Sequence, residues 1–167
     1  PEAPQLISVA GIIGAGKTTL ARKLADLLRA ELLQEPYDTN PFLPEVYAGK
    51  HELALDSQLY FLVHRGEQIG RDVLPPGRVF VTDYVFEKEM IYARLLLDAD
   101  QLGLYEGVYQ PFAQRVTTPA LVIYLEDSPG GFDIGDSGLL RCVTANKIEN
   151  TRACLFCRAS NRHRTKQ

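Results

Sequence analysis

The chain has 167 residues, of which 46% are hydrophobic and 23% are charged, and its formal net charge is −3. This length suits a domain with a substantial core, and the composition is typical of globular proteins. The small negative charge argues against a dedicated binder of nucleic acid polymers. No apolar run approaches the roughly 18 residues of a membrane span and no signal peptide is visible, so we expect no membrane association and a cytoplasmic location.

The first predicted elements are a strand, a glycine-rich loop and a helix. Residues 6–10 are apolar and β-branched, and the helical pattern runs from Lys17 to about Ala30. The loop between them fits G-x-x-x-x-G-K-[ST], in which backbone N–H groups and the helix N-terminus hold phosphates. We therefore expect ATP at this loop, although a glycine-rich turn without a ligand is the alternative. The expected ATP-binding residues are Gly11, Ile12, Ile13, Gly14, Ala15, Gly16, Lys17, Thr18 and Thr19.

Strands and helices alternate along the following part of the chain. In chain order we predict a strand over 32–35, a short helix around 46, a long helix over 53–73, a strand over 78–83, helices over 87–97 and 105–116, and a strand over 120–125. This alternation is typical of α/β proteins with a parallel sheet. We predict a three-layer fold like that of P-loop NTPases, with helices on both faces of the sheet.

Two carboxylates follow predicted strands, where parallel sheets bind their ligands. Glu35 ends the second strand and is a candidate general base for an acceptor hydroxyl, or else a solvated acid. Asp83 ends the third strand and is a candidate Mg²⁺ ligand beside Thr18, or else a helix N-cap. In the phosphate-loop pattern Lys17 reaches the β- and γ-phosphates. We therefore assign a catalytic role to Lys17, and we assign catalytic roles to the two carboxylates, Glu35 and Asp83, as well.

Five motifs occur in an order that resembles the deoxynucleoside kinases. They are residues 11–19, Gln34-Glu35-Pro36, Asn40-Pro41-Phe42-Leu43, Gln58-Leu59-Tyr60-Phe61 with Arg65, and Thr82-Asp83-Tyr84 with Ile91-Tyr92-Ala93. The likeness covers about residues 5–128 and is greatest to the bacterial deoxyadenosine/deoxyguanosine kinase-like branch. It implies ATP- and Mg²⁺-dependent phosphorylation of the 5′-hydroxyl of a deoxynucleoside, with a preference for purines, in nucleotide salvage. It also implies a homodimer.

The resemblance assigns roles to individual residues. Glu35 matches the general base, Tyr47 the tyrosine that contacts the sugar 3′-hydroxyl, and Gln58 and Arg65 the pair that grips the nucleobase. Asp83 matches the acid of an acid-arginine pair that many members carry, but Tyr84 follows it here in place of the arginine. Lys88, one helical turn further on, is our candidate for the missing positive charge at the substrate.

The sequence changes character after Ser128. We predict a kinase-like domain over 1–128 and an atypical tail over 129–167, in which the Arg-rich lid and the last strand of the family are not recognisable. A shifted reading frame from about residue 130 is one hypothesis, and disorder is another. Without lid arginines we expect little activity, and without the last strand, whose loss leaves an edge of the sheet uncovered, we expect poor stability. A thymidylate-type nucleoside monophosphate kinase and an inactive nucleotide-binding pseudoenzyme are the alternative functions.

Overall fold

One sheet contains all five strands of the computed structural model, which describes residues 3–126 and 139–143. The strands are β1 (Gln5–Gly11), β2 (Glu31–Leu33), β3 (Val79–Thr82), β4 (Leu121–Glu126) and β5 (Leu139–Val143). Their order is β2-β3-β1-β4-β5. The first four pair in parallel, which confirms the predicted α/β class, whereas β5 pairs antiparallel with β4 and was not predicted. The rest of the predicted tail lies outside the described residues.

The described residues form two compact units. The sheet unit comprises Ala3–Leu33, Gly77–Tyr84 and the described residues from Thr118 onward. The helical unit comprises Gln34–Pro76 and Val85–Thr117. Within the described part of the chain, no helix has both the length and the apolar character needed to cross a membrane.

The sheet unit has its core between α1 (Lys17–Leu28) and the central strands. Parallel central strands are buried, so they read as continuous apolar runs. The fully packed residues of this core are Val9, Ala21, Leu24, Ala25, Val81 and Ile123. Leu27 and Leu28, at the end of α1, are instead exposed. The helix ends where Arg29 adopts a left-handed conformation with φ of 52°.

The helical unit contains α2 (Leu43–Tyr47), α3 (Ala54–Gln68), α4 (Lys88–Leu96) and α5 (Ala99–Ala113), with a 3₁₀ turn at His51–Leu53. The long helix α3 ends at Gln68 and not at Val73. The backbone after Gln68 leaves the helix because the carbonyl oxygen of Ile69 accepts a hydrogen bond from Thr117 N over 2.7 Å. The last helix α5 begins earlier than predicted. Asp98 caps it, accepting from Gln101 N at 2.9 Å in a capping box.

Gly66 allows α3 and α5 to approach each other closely. A Cβ at this position would clash with the ring of Phe112 on α5. We expect Gly66→Ala to destabilise the protein by about 1–3 kcal/mol, the usual cost of overpacking. Gly103→Ala is the matched control, because among the described residues nothing lies within 4 Å of its Cβ position. That helical change should stabilise by up to about 1 kcal/mol. Urea unfolding of both variants measures the contrast, and equal effects would contradict the packing role.

Candidate active site

The phosphate loop of the sheet unit joins β1 to α1, as the sequence predicts. Gly16 is the residue before α1, and its φ of 81° is a left-handed conformation that favours glycine. Residues 12–14 are exposed, so their backbone can meet a ligand from solvent. The Lys17 ammonium donates to the carbonyl oxygen of Ile12 over 2.8 Å. Lys17 therefore lies against the loop at which we expect the phosphates of ATP to bind.

Lys17 is partly desolvated. Burial lowers the pKa of its ammonium, and the nearby Asp83 carboxylate opposes this by raising the pKa. Desolvation disfavours the charged form of an amine, whereas an anion within a few ångströms favours it. A polyphosphate bound in the loop would add negative charge beside the ammonium and would offset the desolvation. The electrostatics of Lys17 thus suit an anionic ligand.

Thr18 and Asp83 meet in the sheet unit. The Thr18 hydroxyl donates to Asp83 Oδ2 over 2.6 Å, and Asp83 follows β3 directly. Thr82, the last residue of β3, bonds to Ser8 Oγ of β1 at 2.8 Å, which fixes the strand ends side by side. Hydroxyl and carboxylate oxygens are the hard donors that Mg²⁺ prefers. These two residues therefore fit the predicted metal, which would neutralise charge on the nucleotide phosphates.

A preformed metal site of the type made by several acidic or histidine side chains is a different arrangement. Among residues 3–126 and 139–143, no three His, Cys, Asp or Glu side chains converge to hold a metal ion. Mg²⁺ at phosphate-binding sites commonly takes few protein ligands and completes its octahedron with phosphate oxygens and water. The Thr18–Asp83 pair would suit a site of this second kind.

A buried ion-paired cluster lies in the helical unit. One terminal nitrogen of Arg65 on α3 bonds to Glu35, and the other bonds to Glu89 on α4. The side chain of Arg65 is 7% exposed and that of Glu89 is 0% exposed, whereas Glu35 is 25% exposed. Glu35 is therefore the most accessible of the three to a molecule arriving from solvent. The cluster holds two carboxylates and one cation, so its formal charge is negative.

Two further contacts fix this cluster. The Gln68 side-chain amide donates to Gln34 O over 3.1 Å, which ties the segment that carries Glu35 to the end of α3. The guanidinium carbon of Arg65 lies 4.6 Å from the ring centroid of Phe61, one turn earlier on the same helix. A guanidinium packed on an aromatic face and shared by two carboxylates has little rotational freedom. Glu35 is thus held in a defined place.

The sequence did not single out Glu89 or Tyr105. Tyr105 on α5 donates its hydroxyl to Glu89 Oε2 over 2.7 Å, and the tyrosine is also fully buried. The available signal was weak: Glu89 lies one turn before the buried Ala93 on α4, and an acid on an apolar helix face requires a partner. Its partner Arg65 is distant in sequence, so no local pattern reveals the pair.

The remaining predicted substrate residues occupy separate places in the helical unit. Gln58 is buried on α3, two turns before Arg65. Tyr47, at the end of α2, has an exposed side chain, and partial burial together with the hydrogen bond that its hydroxyl donates to Tyr37 raises the pKa of that hydroxyl. The Lys88 ammonium, at the start of α4, lies 5.4 Å from the ring centroid of Tyr92. Their predicted contacts with substrate stay predictions.

The family model described as deoxynucleoside kinase matches residues 7–131. The chain belongs to the deoxynucleoside kinase family. Both the phosphate loop and the Glu35–Arg65 pair fall within the matched range, and the resemblance drawn from the motifs is confirmed.

Relatives of this kinase-family chain have purine nucleosides in their names. The chain is 31% identical over 125 residues to the deoxyguanosine kinase of Bacillus subtilis (strain 168), and the match covers 73% of this chain and 60% of that protein. It is 29% identical over 128 residues to the deoxyadenosine kinase of Dictyostelium discoideum, covering 74% of this chain and 52% of that protein. The kinase-family chain thus spans between half and two thirds of the length of these relatives.

Solved structures agree with the fold of this deoxynucleoside kinase family member. A deoxyadenosine kinase from M. mycoides, described with products dCMP and a flexible dCDP bound, superposes with a TM-score of 0.61 at 22% identity. The match covers 72% of this chain and 62% of that one. At this identity the likeness concerns the fold, and it confirms the P-loop NTPase-like architecture.

Proposed function

We propose that this protein transfers the γ-phosphoryl group of ATP to the 5′-hydroxyl of a purine deoxynucleoside in nucleotide salvage. The observation that carries the proposal is the Glu35–Arg65 ion pair, which holds a partly exposed carboxylate in place beside a buried guanidinium. An alcohol acceptor needs a positioned base in the transition state, whereas most of the remaining catalysis is electrostatic. Membership of the deoxynucleoside kinase family and the purine nucleosides in the names of the relatives support the substrate class.

The donor is ATP with Mg²⁺ in this proposal. The loop amides of residues 11–19 hold its phosphates, and Lys17 approaches the β- and γ-phosphates. Thr18 and Asp83 hold the metal, with the hydroxyl and carboxylate oxygens that meet at 2.6 Å. The roles of Lys17, Thr18 and the loop amides follow from the phosphate-loop pattern, and that of Asp83 from its contact with Thr18.

The acceptor is bound by residues of the helical unit. Glu35 accepts the proton of the 5′-hydroxyl, and Tyr47 contacts the sugar. Gln58 and Arg65 bind the nucleobase, and Lys88 completes the substrate contacts of this unit. Gln58 offers a donor and an acceptor to a base edge, and Arg65 offers donors in a planar fork. The buried position of both side chains supports recognition of a planar ring.

Charge distinguishes this proposal from a thymidylate-type monophosphate kinase. The acceptor of a monophosphate kinase carries a phosphate group, which requires an excess of positive charge in its binding site. The cluster around Glu35 contains one arginine and two glutamates. A dianionic phosphate group would be repelled there, whereas an uncharged hydroxyl would not be. The cluster therefore favours a nucleoside acceptor over a nucleotide.

The test is phosphoryl transfer to a panel of acceptors under single-turnover conditions, with protein in excess over labelled ATP and with Mg²⁺ present. The acceptors are deoxyadenosine, deoxyguanosine, deoxycytidine, thymidine and dAMP. We expect label on the purine deoxynucleosides. Label on dAMP alone would replace the proposal with the monophosphate kinase, and thermal stabilisation by nucleosides without any transfer would favour the pseudoenzyme.

We also propose a homodimer formed through α4 and α5. Each helix exposes two apolar residues one turn apart: Ile91 and Leu95 on α4, and Leu104 and Val108 on α5. Exposed apolar faces of this kind are typical of association surfaces. Sedimentation equilibrium should give a dimer for the unaltered protein and a monomer for Leu95→Glu. Leu27→Glu, at an exposed leucine of the sheet unit, is the control and should leave the mass unchanged.

A further inference from the structure

Arg65 is fixed by two carboxylates that differ in their surroundings. Its two terminal nitrogens bond to Glu35 and Glu89, so rotation of the guanidinium would break both bonds together. Glu35 can also reach water, but Glu89 is fully buried. A carboxylate without access to water depends on the protein for its hydrogen bonds. The position of Arg65 is therefore anchored chiefly from the side of Glu89.

Glu89 is oriented by Tyr105. Its Oε1 accepts from Arg65, and its Oε2 accepts from the Tyr105 hydroxyl over 2.7 Å. Two partners on the two oxygens fix the plane of the carboxylate, which a single partner would not do. The bond joins α4 to α5, while Arg65 joins α4 to α3, so the chain of contacts crosses three helices.

Tyr105 suits this role because it is a rigid donor. Its ring lies 6.3 Å from that of Tyr109, with 24° between the planes, and Tyr109 stacks on Phe86 at 5.4 Å. Burial raises the pKa of Tyr105, with the nearby Arg65 acting in the opposite direction. At the pH values at which proteins work, the hydroxyl therefore stays protonated and donates a hydrogen bond to Glu89.

We propose that Tyr105 is a positioning residue of the acceptor site, acting through Glu89 and Arg65 on Glu35. Its hydroxyl does not touch the substrate. It holds Glu89, which holds Arg65 where the guanidinium can meet both Glu35 and a nucleobase. The role in substrate binding rests on the proposed function, whereas the effect on Arg65 does not.

Tyr105→Phe tests the inference, with Tyr109→Phe as the control that removes a neighbouring hydroxyl from the same aromatic stack. The first readout is the ¹⁵N NMR spectrum of the arginine side chains, in which Arg65 is identified by its loss in Arg65→Lys. We expect separate terminal-nitrogen signals for Arg65 in the unaltered protein and in Tyr109→Phe. In Tyr105→Phe these signals should broaden or merge. Unchanged signals would overturn the inference whatever the activity.

The second readout is deoxyadenosine and deoxyguanosine binding by calorimetry. Loss of one hydrogen bond to a charged group should weaken binding about tenfold in Tyr105→Phe, with ATP affinity unchanged. In a Glu89→Gln background the same change should have less than about a twofold effect, since the residue acts through Glu89. Altered Arg65 signals with unchanged nucleoside affinity would overturn the positioning role alone. No nucleoside binding to the unaltered protein would overturn the proposed function too.

Discussion

Replacing Glu35 with glutamine should lower kcat for deoxynucleoside phosphorylation by about 10²–10⁴-fold, the usual contribution of a general base. The amide keeps the shape of the side chain but cannot accept the proton of the 5′-hydroxyl. Arg65 retains its second carboxylate partner, Glu89, so the site should stay assembled. Nucleoside affinity should therefore change much less than the rate of transfer.

The measurement for Glu35→Gln combines single-turnover transfer with nucleoside binding by calorimetry. Glu45→Gln is the matched control, because Glu45 is a surface glutamate of the same unit that pairs with Lys50. That change should leave the rate unaltered. Transfer by Glu35→Gln within about threefold of the unaltered rate would exclude Glu35 as the base, since removal of a general base costs far more.

Local patterns predicted the phosphate loop and its surroundings correctly. The strand, the glycines, Lys17 and the start of α1 are consecutive in sequence, and each has conformational requirements that few other residues meet. The pairing of Thr18 with Asp83 followed from the same reasoning, because parallel strands place their carboxyl ends at one edge of a sheet. Here sequence order and spatial order agree, so the sequence was sufficient.

The buried ion-paired cluster of Arg65, Glu35 and Glu89 could not be predicted from the sequence. The resemblance to the family singled out Gln58 and Arg65, and both residues are buried on α3, two turns apart. The bonds from Arg65 to Glu35 and Glu89 join distant segments, and helical periodicity carries no information about such contacts. Only packing of the helices in three dimensions reveals that one arginine serves two carboxylates.

Element boundaries differed where tertiary bonds replaced helical ones. The apolar pattern continues beyond Gln68, but the backbone at Ile69 bonds to Thr117 and ends α3. The start of α5 could have been found, because Asp98 and Gln101 form a capping box that is visible in the sequence. The strand β5 pairs with β4, the element before it in the chain, but residues 139–143 fall in the predicted atypical tail, where no strand was expected.

Replacing Arg65 with methionine should destabilise the protein by about 3–5 kcal/mol, because it leaves a buried carboxylate without its cation. Glu89 is 0% exposed and cannot recover water, although Glu35, at 25% exposed, can do so in part. The loss is a large fraction of the roughly 5–15 kcal/mol that stabilises a typical folded protein, so we expect unfolding at a clearly lower urea concentration. Urea unfolding against the unaltered protein measures it.

Two further variants determine whether the loss comes from the uncompensated charge. Arg78→Met removes an exposed arginine that pairs with Glu31 at 3.3 Å, and it should cost no more than about 1 kcal/mol. Arg65→Met combined with Glu89→Met removes both buried charges and should be more stable than Arg65→Met alone, because replacement of a whole buried ion pair by apolar side chains is often neutral. If Arg65→Met unfolds no more readily than Arg78→Met, then the cluster does not hold α3 and α4 together. In that case Glu35 must be positioned by the backbone of its own segment.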